Sequence, residues 1–149
     1  MERTLIILKP DAVERRLIGE IVARFENKGL KVVGLKFNTF PKQLVEEHYS
    51  EHRAKPFFGE VVGFMTSGPV CVLALEGHRA VEVCRKLVGK TRAYEADAGT
   101  IRGDLGLSGQ FNLVHGSDSP ESAERELELW FRTDELVDYT LPDEKWLRD

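Results

Sequence analysis

The sequence predicts an α+β fold in which a four-stranded antiparallel sheet carries packed helices. Four short apolar segments predict strands, and segments with apolar residues at helical spacing separate them in the order β-α-β-αα-β-α-β-α. This order fits the split βαβ, ferredoxin-like arrangement, with the helices on one face of the sheet; an all-parallel sheet is the alternative. Since 42% of the 149 residues are hydrophobic, we expect a single domain over 1–149, with a C-terminal tail from about 133.

Each predicted element follows from a local pattern. The elements are a strand at 3–9, a helix at 11–28, a strand at 30–40, helices at 42–50 and 56–66, a strand at 70–76, a helix at 77–88, a strand at 111–114 and a helix at 120–131. Asp11, with Glu14 three residues later, predicts an aspartate form of the capping box. Ser119 followed by Pro120 predicts the N-cap and first position of the last helix. The polar stretch 90–109 has no periodicity, and so long a loop favours a functional role.

Composition and charge exclude several functional classes. The net charge is −4, and acidic and basic residues are interspersed, which argues against a nucleic-acid stripe or a polybasic membrane patch. The N-terminal residues show no signal-peptide pattern and no apolar run approaches spanning length, so we expect a soluble, cytoplasmic protein without a membrane partner. Cys71 and Cys84 lie in apolar patterns and are expected to be reduced core thiols.

One histidine near the start of the last helix is the strongest candidate for chemistry. His115 follows the predicted strand and precedes a polar turn, so rigid elements hold it on both sides. Glu126 on the next helix can orient the imidazole through one ring nitrogen and leave the other free as a nucleophile. A buried histidine bonded to backbone, with Glu126 merely exposed, fits the same spacing. His48 and His52 lie in a polar helical stretch, where we expect solvated side chains.

Three cations and one threonine lie at the ends of predicted elements or in the long loop, where a phosphate could bind. Lys9 ends the first strand and Arg85 lies on the helix after the third, while Thr91 and Arg102 lie in the long loop. Each alone fits an ordinary surface residue, but together they fit an anion cradle. Phe57 could expose its ring to a base or fill the core. No complete P-loop or G-x-G-x-x-G motif occurs, so side chains would have to hold a nucleotide.

Six short segments carry a resemblance to a known enzyme family. They are Thr4–Val13, Arg53–Phe58, Ser67–Pro69, Gly99–Asp104, Asn112–Ser119 and Glu135–Tyr139. In this order they resemble the nucleoside diphosphate kinase family over essentially the whole chain. The resemblance implies a ferredoxin-like core and a ping-pong transfer of the γ-phosphate of a nucleoside triphosphate, typically ATP, to a nucleoside diphosphate. The intermediate would be a phosphohistidine.

The resemblance also implies roles for individual residues. His115 would attack through Nδ1, with Glu126 restraining the ring from its other side and Ser117 supporting that carboxylate. Mg²⁺ would bridge the phosphates, with Asp118 near the metal. The nucleotide-binding residues would be Lys9, which also serves in catalysis, and Tyr49, Phe57, Arg85, Thr91, Arg102 and Asn112. Phe57 would stack on the base, and because every base has a π-face, a broad nucleotide range follows.

The resemblance further implies a homo-oligomer, with a hexamer favoured over a tetramer. Tail residues Tyr139, Trp146 and Leu147 could pack on a neighbouring subunit. Ala93 and Ala98 stand where the family usually has prolines, so the long loop is less restrained, which bears on assembly more than on chemistry.

The competing hypothesis is a catalytically inert nucleotide- or nucleic-acid-binding regulatory module on the same fold. The intact set of Lys9, Arg102, Asn112 and His115 argues against that module, and we expect no specific nucleic-acid partner.

Overall fold

A computed structural model describes all residues, 1–149, and its scaffold is one four-stranded sheet. The strands are β1 (Glu2–Leu8), β2 (Lys31–Asn38), β3 (Val70–Gly77) and β4 (Val114–Gly116). The α-helices are α1 (Pro10–Glu14), α2 (Ile18–Lys28), α3 (Lys42–His48), α4 (Phe58–Met65), α5 (Ala80–Val88), α6 (Ile101–Leu105) and α7 (Pro120–Trp130). Short 3-10 turns lie at Ser50–His52, Ala93–Glu95, Thr133–Glu135 and Glu144–Trp146. The strand order is β2-β3-β1-β4 with every pair antiparallel, which confirms the predicted fold class.

The sheet is covered by helices on both faces. Residues 5–8 of β1 are completely buried, and successive side chains of a strand point to opposite faces. Ile6 and Leu8 pack into one core cluster with α2 and α5, while Leu5 and Ile7 pack into a second with α3, α4 and α7. The expectation of helices on one face is therefore wrong. A strand that is apolar on both sides needs helices on both faces of the sheet, because burying each aliphatic side chain completely contributes about 1.5–3 kcal/mol to the stability of the fold.

The helix predicted at 11–28 is two helices. Arg16 has a φ of 59°, in the left-handed region that a right-handed helix cannot continue through, so α1 and α2 are separated there. The predicted capping box is also wrong, since Lys9 occupies the N-cap position and Asp11 lies inside α1. The carboxylate of Asp11 instead accepts the backbone N–H of Leu113 at 3.0 Å. At the far end, α2 stops at Gly29 with a φ of 108°, as its sequence predicts.

The last strand begins later than the sequence indicates. Leu113 has a φ of 73°, and the Val114 N–H donates to the Asn112 carbonyl at 2.8 Å, which closes a strained three-residue γ-turn. Pairing with β1 therefore starts at Val114, and His115 lies opposite Ile7 in the middle of β4, not after it. The loop predicted over 90–109 contains α6, whose N-cap Thr100 accepts the Gly103 N–H.

The C-terminal tail packs on its own chain. The Val137 N–H donates to the Val33 carbonyl at 2.8 Å, and the Tyr139 hydroxyl donates to the Val32 carbonyl. Leu147 lies against Gly29, so close that a Cβ there would meet it at 2.8 Å. Of the three tail residues expected to contact a neighbour, only Trp146 is largely exposed, at 77%.

Two further expectations concern burial and membrane crossing. Both cysteines are free thiols and buried, as expected. None of the helices combines the length and the apolar composition needed to cross a bilayer.

Candidate active site

A buried carboxylate holds the ring of His115. The distance from His115 Nε2 to Glu126 Oε1 is 2.8 Å, and the Ser117 hydroxyl donates to the same oxygen at 2.7 Å. Glu126 reaches this position because it shares the buried face of α7 with Ala123 and Trp130, three residues before it and four after it. The structure thus brings together three of the predicted catalytic residues, and Glu126 is not an exposed side chain.

The electrostatics of Glu126 favour one tautomer of His115. Burial by itself would raise the pKa of this carboxyl, but the hydrogen bond and charge of His115, together with the hydrogen bond from the Ser117 hydroxyl, outweigh it, and the pKa is lowered. An ionised carboxylate can only accept, so the proton of a neutral His115 ring lies on Nε2. The lone pair is then on Nδ1, which is the chemically available nitrogen.

His48 is buried beside His115, although its local sequence pattern indicates a solvated side chain. Its side chain is 5% exposed, and its ring meets the His115 ring edge-on at 4.6 Å between centroids. The Trp130 indole N–H donates to His48 Nδ1 at 3.0 Å. Burial, with the positive charges of His115, Arg125 and Lys9, lowers the pKa of His48 to about 3 against the opposing pull of Glu126. The expectation of a solvated side chain is wrong. Its position three residues after the buried Val45 is the helical-spacing signal that could have shown it.

A second polar group surrounds the end of β1. Lys9 Nζ donates to Asn112 Oδ1 at 2.9 Å, and Asn112 Nδ2 donates to the Thr91 carbonyl at 2.8 Å. Burial and the charge of Arg102 lower the pKa of Lys9 to about 8, although Asp11 acts in the opposite direction. Lys9 is therefore a partly buried cation that keeps most of its charge at pH 7.

Arg102 is a buried cation that also holds the backbone of the site. Its guanidinium donates to the carbonyls of Asn112 at 3.2 Å, Gly89 at 3.1 Å and Val114 at 2.6 Å. Burial, with the charge of Arg85, lowers its pKa to about 10. Arg102 thus fixes the turn that precedes His115.

A cavity of about 220 Å³ opens next to His115. Five predicted site residues line it: Tyr49, Arg85, His115, Asp118 and Glu126. Arg85 donates to the Gly116 carbonyl at 3.2 Å, and burial, aided by Glu126, raises the pKa of Tyr49 to about 12. A larger cavity of about 850 Å³ beside α5 shares Arg85 and Asp118 with it.

Two of the predicted residues lie apart from these groups. Phe57 does not line the smaller cavity; it precedes α4, is 43% exposed and lies 5.6 Å from the His52 ring. The Thr91 side chain is exposed, and it is the Thr91 carbonyl that contacts Asn112.

Comparison with known proteins decides the family. The family model described as nucleoside diphosphate kinase matches residues 2–136. The chain belongs to the nucleoside diphosphate kinase family. Among curated relatives, the nucleoside diphosphate kinases of Staphylococcus haemolyticus and Staphylococcus saprophyticus are 54% and 56% identical over 147 residues, which cover 99% of this chain and 99% of each relative.

Solved structures of nucleoside diphosphate kinases share this fold. The enzyme of Halobacterium salinarum in complex with CDP superposes with a TM-score of 0.94 at 50% identity, covering 97% of both chains. The family protein of Babesia bovis superposes with a TM-score of 0.96 at 48% identity, covering 98% of this chain and 99% of its own. The predicted resemblance is confirmed.

Proposed function

We propose that this protein is a nucleoside diphosphate kinase that moves the γ-phosphate of ATP or another nucleoside triphosphate onto a nucleoside diphosphate. The observation that carries the proposal is the unengaged Nδ1 of His115, on a ring held by the ionised Glu126 and next to a cavity lined by a cation. Family membership and the names of the close relatives support the same activity.

In the first half-reaction, the Nδ1 lone pair of His115 attacks the γ-phosphorus of the triphosphate. A P–N bond forms while the bond to the bridging oxygen breaks, and the nucleoside diphosphate leaves with the electron pair. The ring becomes more positive as the P–N bond forms, and the Glu126 carboxylate on Nε2 stabilises that charge. A second nucleoside diphosphate then attacks the phosphorus with a terminal phosphate oxygen and restores the free histidine.

Positioned cations supply most of the stabilisation that this chemistry needs. Phosphoryl transfer depends on in-line positioning and charge neutralisation more than on acid–base assistance. We assign this role to Lys9 and Arg85, with Arg102 contributing charge and holding Asn112 in place. Tyr49 keeps its hydroxyl proton, because its pKa is raised, and so offers a neutral hydrogen-bond donor.

Kinases of this family require a divalent cation, and we propose Mg²⁺. One exposed carboxylate at the cavity, Asp118, fits an ion that takes most of its ligands from phosphate oxygens and water. When bound, Mg²⁺ would neutralise phosphate charge. The group His48, His115 and Glu126 is rich in nitrogen and does not fit Mg²⁺, which prefers oxygen ligands.

We assign base binding to the exposed ring of Phe57. A stacked ring accepts purines and pyrimidines alike, so a broad acceptor range is expected. The CDP complex of the Halobacterium salinarum relative supports a site that admits a pyrimidine nucleotide. A comparison of ADP, GDP, CDP and UDP as acceptors tests this, and strict preference for one of them would contradict it.

Incubation with γ-labelled ATP tests the activity. We expect an acid-labile, alkali-stable label on the protein that a nucleoside diphosphate removes. His115→Ala should lose the label, whereas the matched variant His78→Ala, at an exposed histidine before α5, should keep it. An unlabelled wild-type protein would leave the inert regulatory module as the better hypothesis.

We propose a homo-oligomer, with a hexamer favoured and a tetramer as the alternative. Leu35 and Phe37, on the edge strand β2, are 56% and 54% exposed, and Tyr94 and Leu107, between α5 and β4, are 59% and 81% exposed. Two separate apolar surfaces suit an assembly with two kinds of interface, which a dimer does not need. Sedimentation at low protein concentration tests the assembly, and a stable monomer would exclude both states.

Two further properties are proposed on narrower grounds. Residues 1–149 form one domain, since the tail is tied to the sheet by the 2.6 Å ion pair of Arg3 with Asp138 and the 2.9 Å pair of Lys31 with Glu144. A cytoplasmic location suits the two free thiols, because reducing compartments preserve them.

A further inference from the structure

His48 lies against the two rings closest to the reaction, yet the steps above assign it no part. Its ring is edge-on to His115 at 4.6 Å and to Tyr49 at 4.7 Å between centroids. It also lines the cavity next to His115. A buried polar side chain in such a place needs a partner for each of its polar atoms.

The contact with Trp130 determines where the proton of His48 lies. An indole N–H can only donate, so His48 Nδ1 must accept with its lone pair. The proton of the neutral ring is therefore on Nε2. A cationic ring would place a second proton on Nδ1, facing the indole proton, and burial opposes the charge as well. His48 is thus a neutral donor at neutral pH.

The remaining donor of His48 faces the cavity. Three side-chain polar atoms are inaccessible to solvent and have no hydrogen-bond partner: Thr4 Oγ1, Asp11 Oδ1 and His52 Nδ1. His48 Nε2 is not one of them, so it is accessible to solvent. Its ring hydrogen bonds involve Nδ1 alone. Because the ring lines the cavity, Nε2–H is open to a molecule bound there, at no cost of breaking a protein hydrogen bond.

The same tautomer disfavours a transition-metal site. His48, His115 and Glu126 offer ligand atoms within 4.8 Å of one another, a grouping that suits zinc. A metal-bound Nε2 would require the proton on Nδ1, and metal-binding histidines donate that proton to an acceptor. Here the Trp130 N–H occupies the position where an acceptor would be needed.

We propose that His48 donates a hydrogen bond from Nε2 to an oxygen of the phosphoryl group carried by His115, and that Trp130 is the positioning residue that holds His48 in this tautomer. The proposal rests on the phosphohistidine mechanism above. A neutral donor suits a ping-pong intermediate, because a further cation would stabilise the phosphoenzyme against passing the group on.

Two single variants, each with a side chain similar in size to histidine, test the hydrogen bond from His48 to the phosphoryl group. His48→Leu removes the donor, whereas His48→Gln can place an amide N–H near the position of Nε2. In single-turnover experiments with ATP and then ADP, we expect His48→Leu to slow transfer about tenfold to a hundredfold, the size of one lost hydrogen bond to a charged group. His48→Gln should stay within about threefold of wild type, and KM should change little in both.

The tautomer can be measured without any turnover. In protein labelled with ¹⁵N-histidine, we expect His48 to show a pyridine-type Nδ1 and a pyrrole-type Nε2, assigned by the loss of its signals in His48→Gln. Trp130→Phe should yield a mixture of tautomers and should sensitise phosphorylation to inhibition by Zn²⁺.

A protonated Nδ1 in the wild type would overturn the proposal, and so would equal slowing by His48→Leu and His48→Gln. A wild-type protein that is labelled on His115, with His48→Leu unaffected, would overturn this proposal alone. A wild-type protein that takes no label would overturn the proposed function itself.

Discussion

Lys9→Met should reveal the energetic cost of keeping a partly buried cation at the end of β1, where we propose that phosphate binds. The Lys9 pKa falls from its ordinary 10.5 to about 8, chiefly because of burial, with the charge of Arg102 adding to the shift and that of Asp11 opposing it. Below pH 8 the native and the unfolded protein both hold this proton, so the full cost is present. Between pH 8 and 10.5 the unfolded chain binds more protons, and native stability therefore rises with pH.

The magnitude follows from the two pKa values. The difference between the unfolded-state pKa of 10.5 and the native pKa of about 8 stabilises the native wild-type protein by about 2–3 kcal/mol as the pH rises from 7 to 10. Lys9→Met has no such proton. Its free energy of unfolding relative to wild type should therefore fall by about that amount over the same range. The variant also leaves Asn112 Oδ1 without its 2.9 Å donor, but that offset does not depend on pH.

Urea unfolding at a series of pH values measures this difference. All other titrating groups are common to the two proteins, so subtraction isolates Lys9. Lys42→Met, at an exposed lysine of α3, serves as the matched control and should show a constant difference. If the Lys9→Met difference were also constant between pH 7 and 10, Lys9 would titrate normally and its burial would carry no cost.

Three further predictions concern positioning and binding. Glu126→Gln removes the charge that holds His115 and should slow phosphoenzyme formation about tenfold to a hundredfold in single-turnover assays; equal slowing by the exposed Glu124→Gln would contradict this. Asp11→Ala frees the N–H of the strained Leu113 and should lower the free energy of unfolding by about 1–3 kcal/mol in urea, together with activity. Phe57→Leu should raise KM about fivefold to a hundredfold for purine and pyrimidine diphosphates alike, with kcat retained, because stacking is worth about 1–3 kcal/mol per base; a change for one base only would refute stacking.

The resting enzyme holds its cations and its nucleophile by different means. Glu126 lies next to His115 as a compensating charge, whereas Lys9 has only the amide oxygen of Asn112 as a hydrogen-bond partner. An anionic phosphate would add to the counter-charge of Asp11, which only partly offsets the burial of Lys9. Holding Lys9 charged lowers the stability of the native protein. That cost fits a site whose positive charge is arranged to bind a triphosphate rather than to form ion pairs within the protein.

Local patterns were sufficient for most of the fold. Apolar runs and helical spacing placed the four strands and most helices, and Ser119 does cap α7 by accepting the Ser122 N–H. Two of the failures come from contacts between distant segments. Asp11 does not cap its own helix because its carboxylate accepts the backbone N–H of Leu113, 102 residues away. His48 is not solvated because it packs against His115 and Trp130.

The sequence by itself determined the family, the fold class and most of the elements, and it singled out His115 and Glu126 as candidate catalytic residues, because strand, cap and helix signals act over a few residues. Only the tertiary structure decided the chemistry of the site. The tautomer of His48 is set by Trp130, 82 residues away, and the pKa of Lys9 reflects its burial beside Asn112, 103 residues away. Desolvation and hydrogen-bond partners arise only when distant segments meet, so no local pattern could contain them.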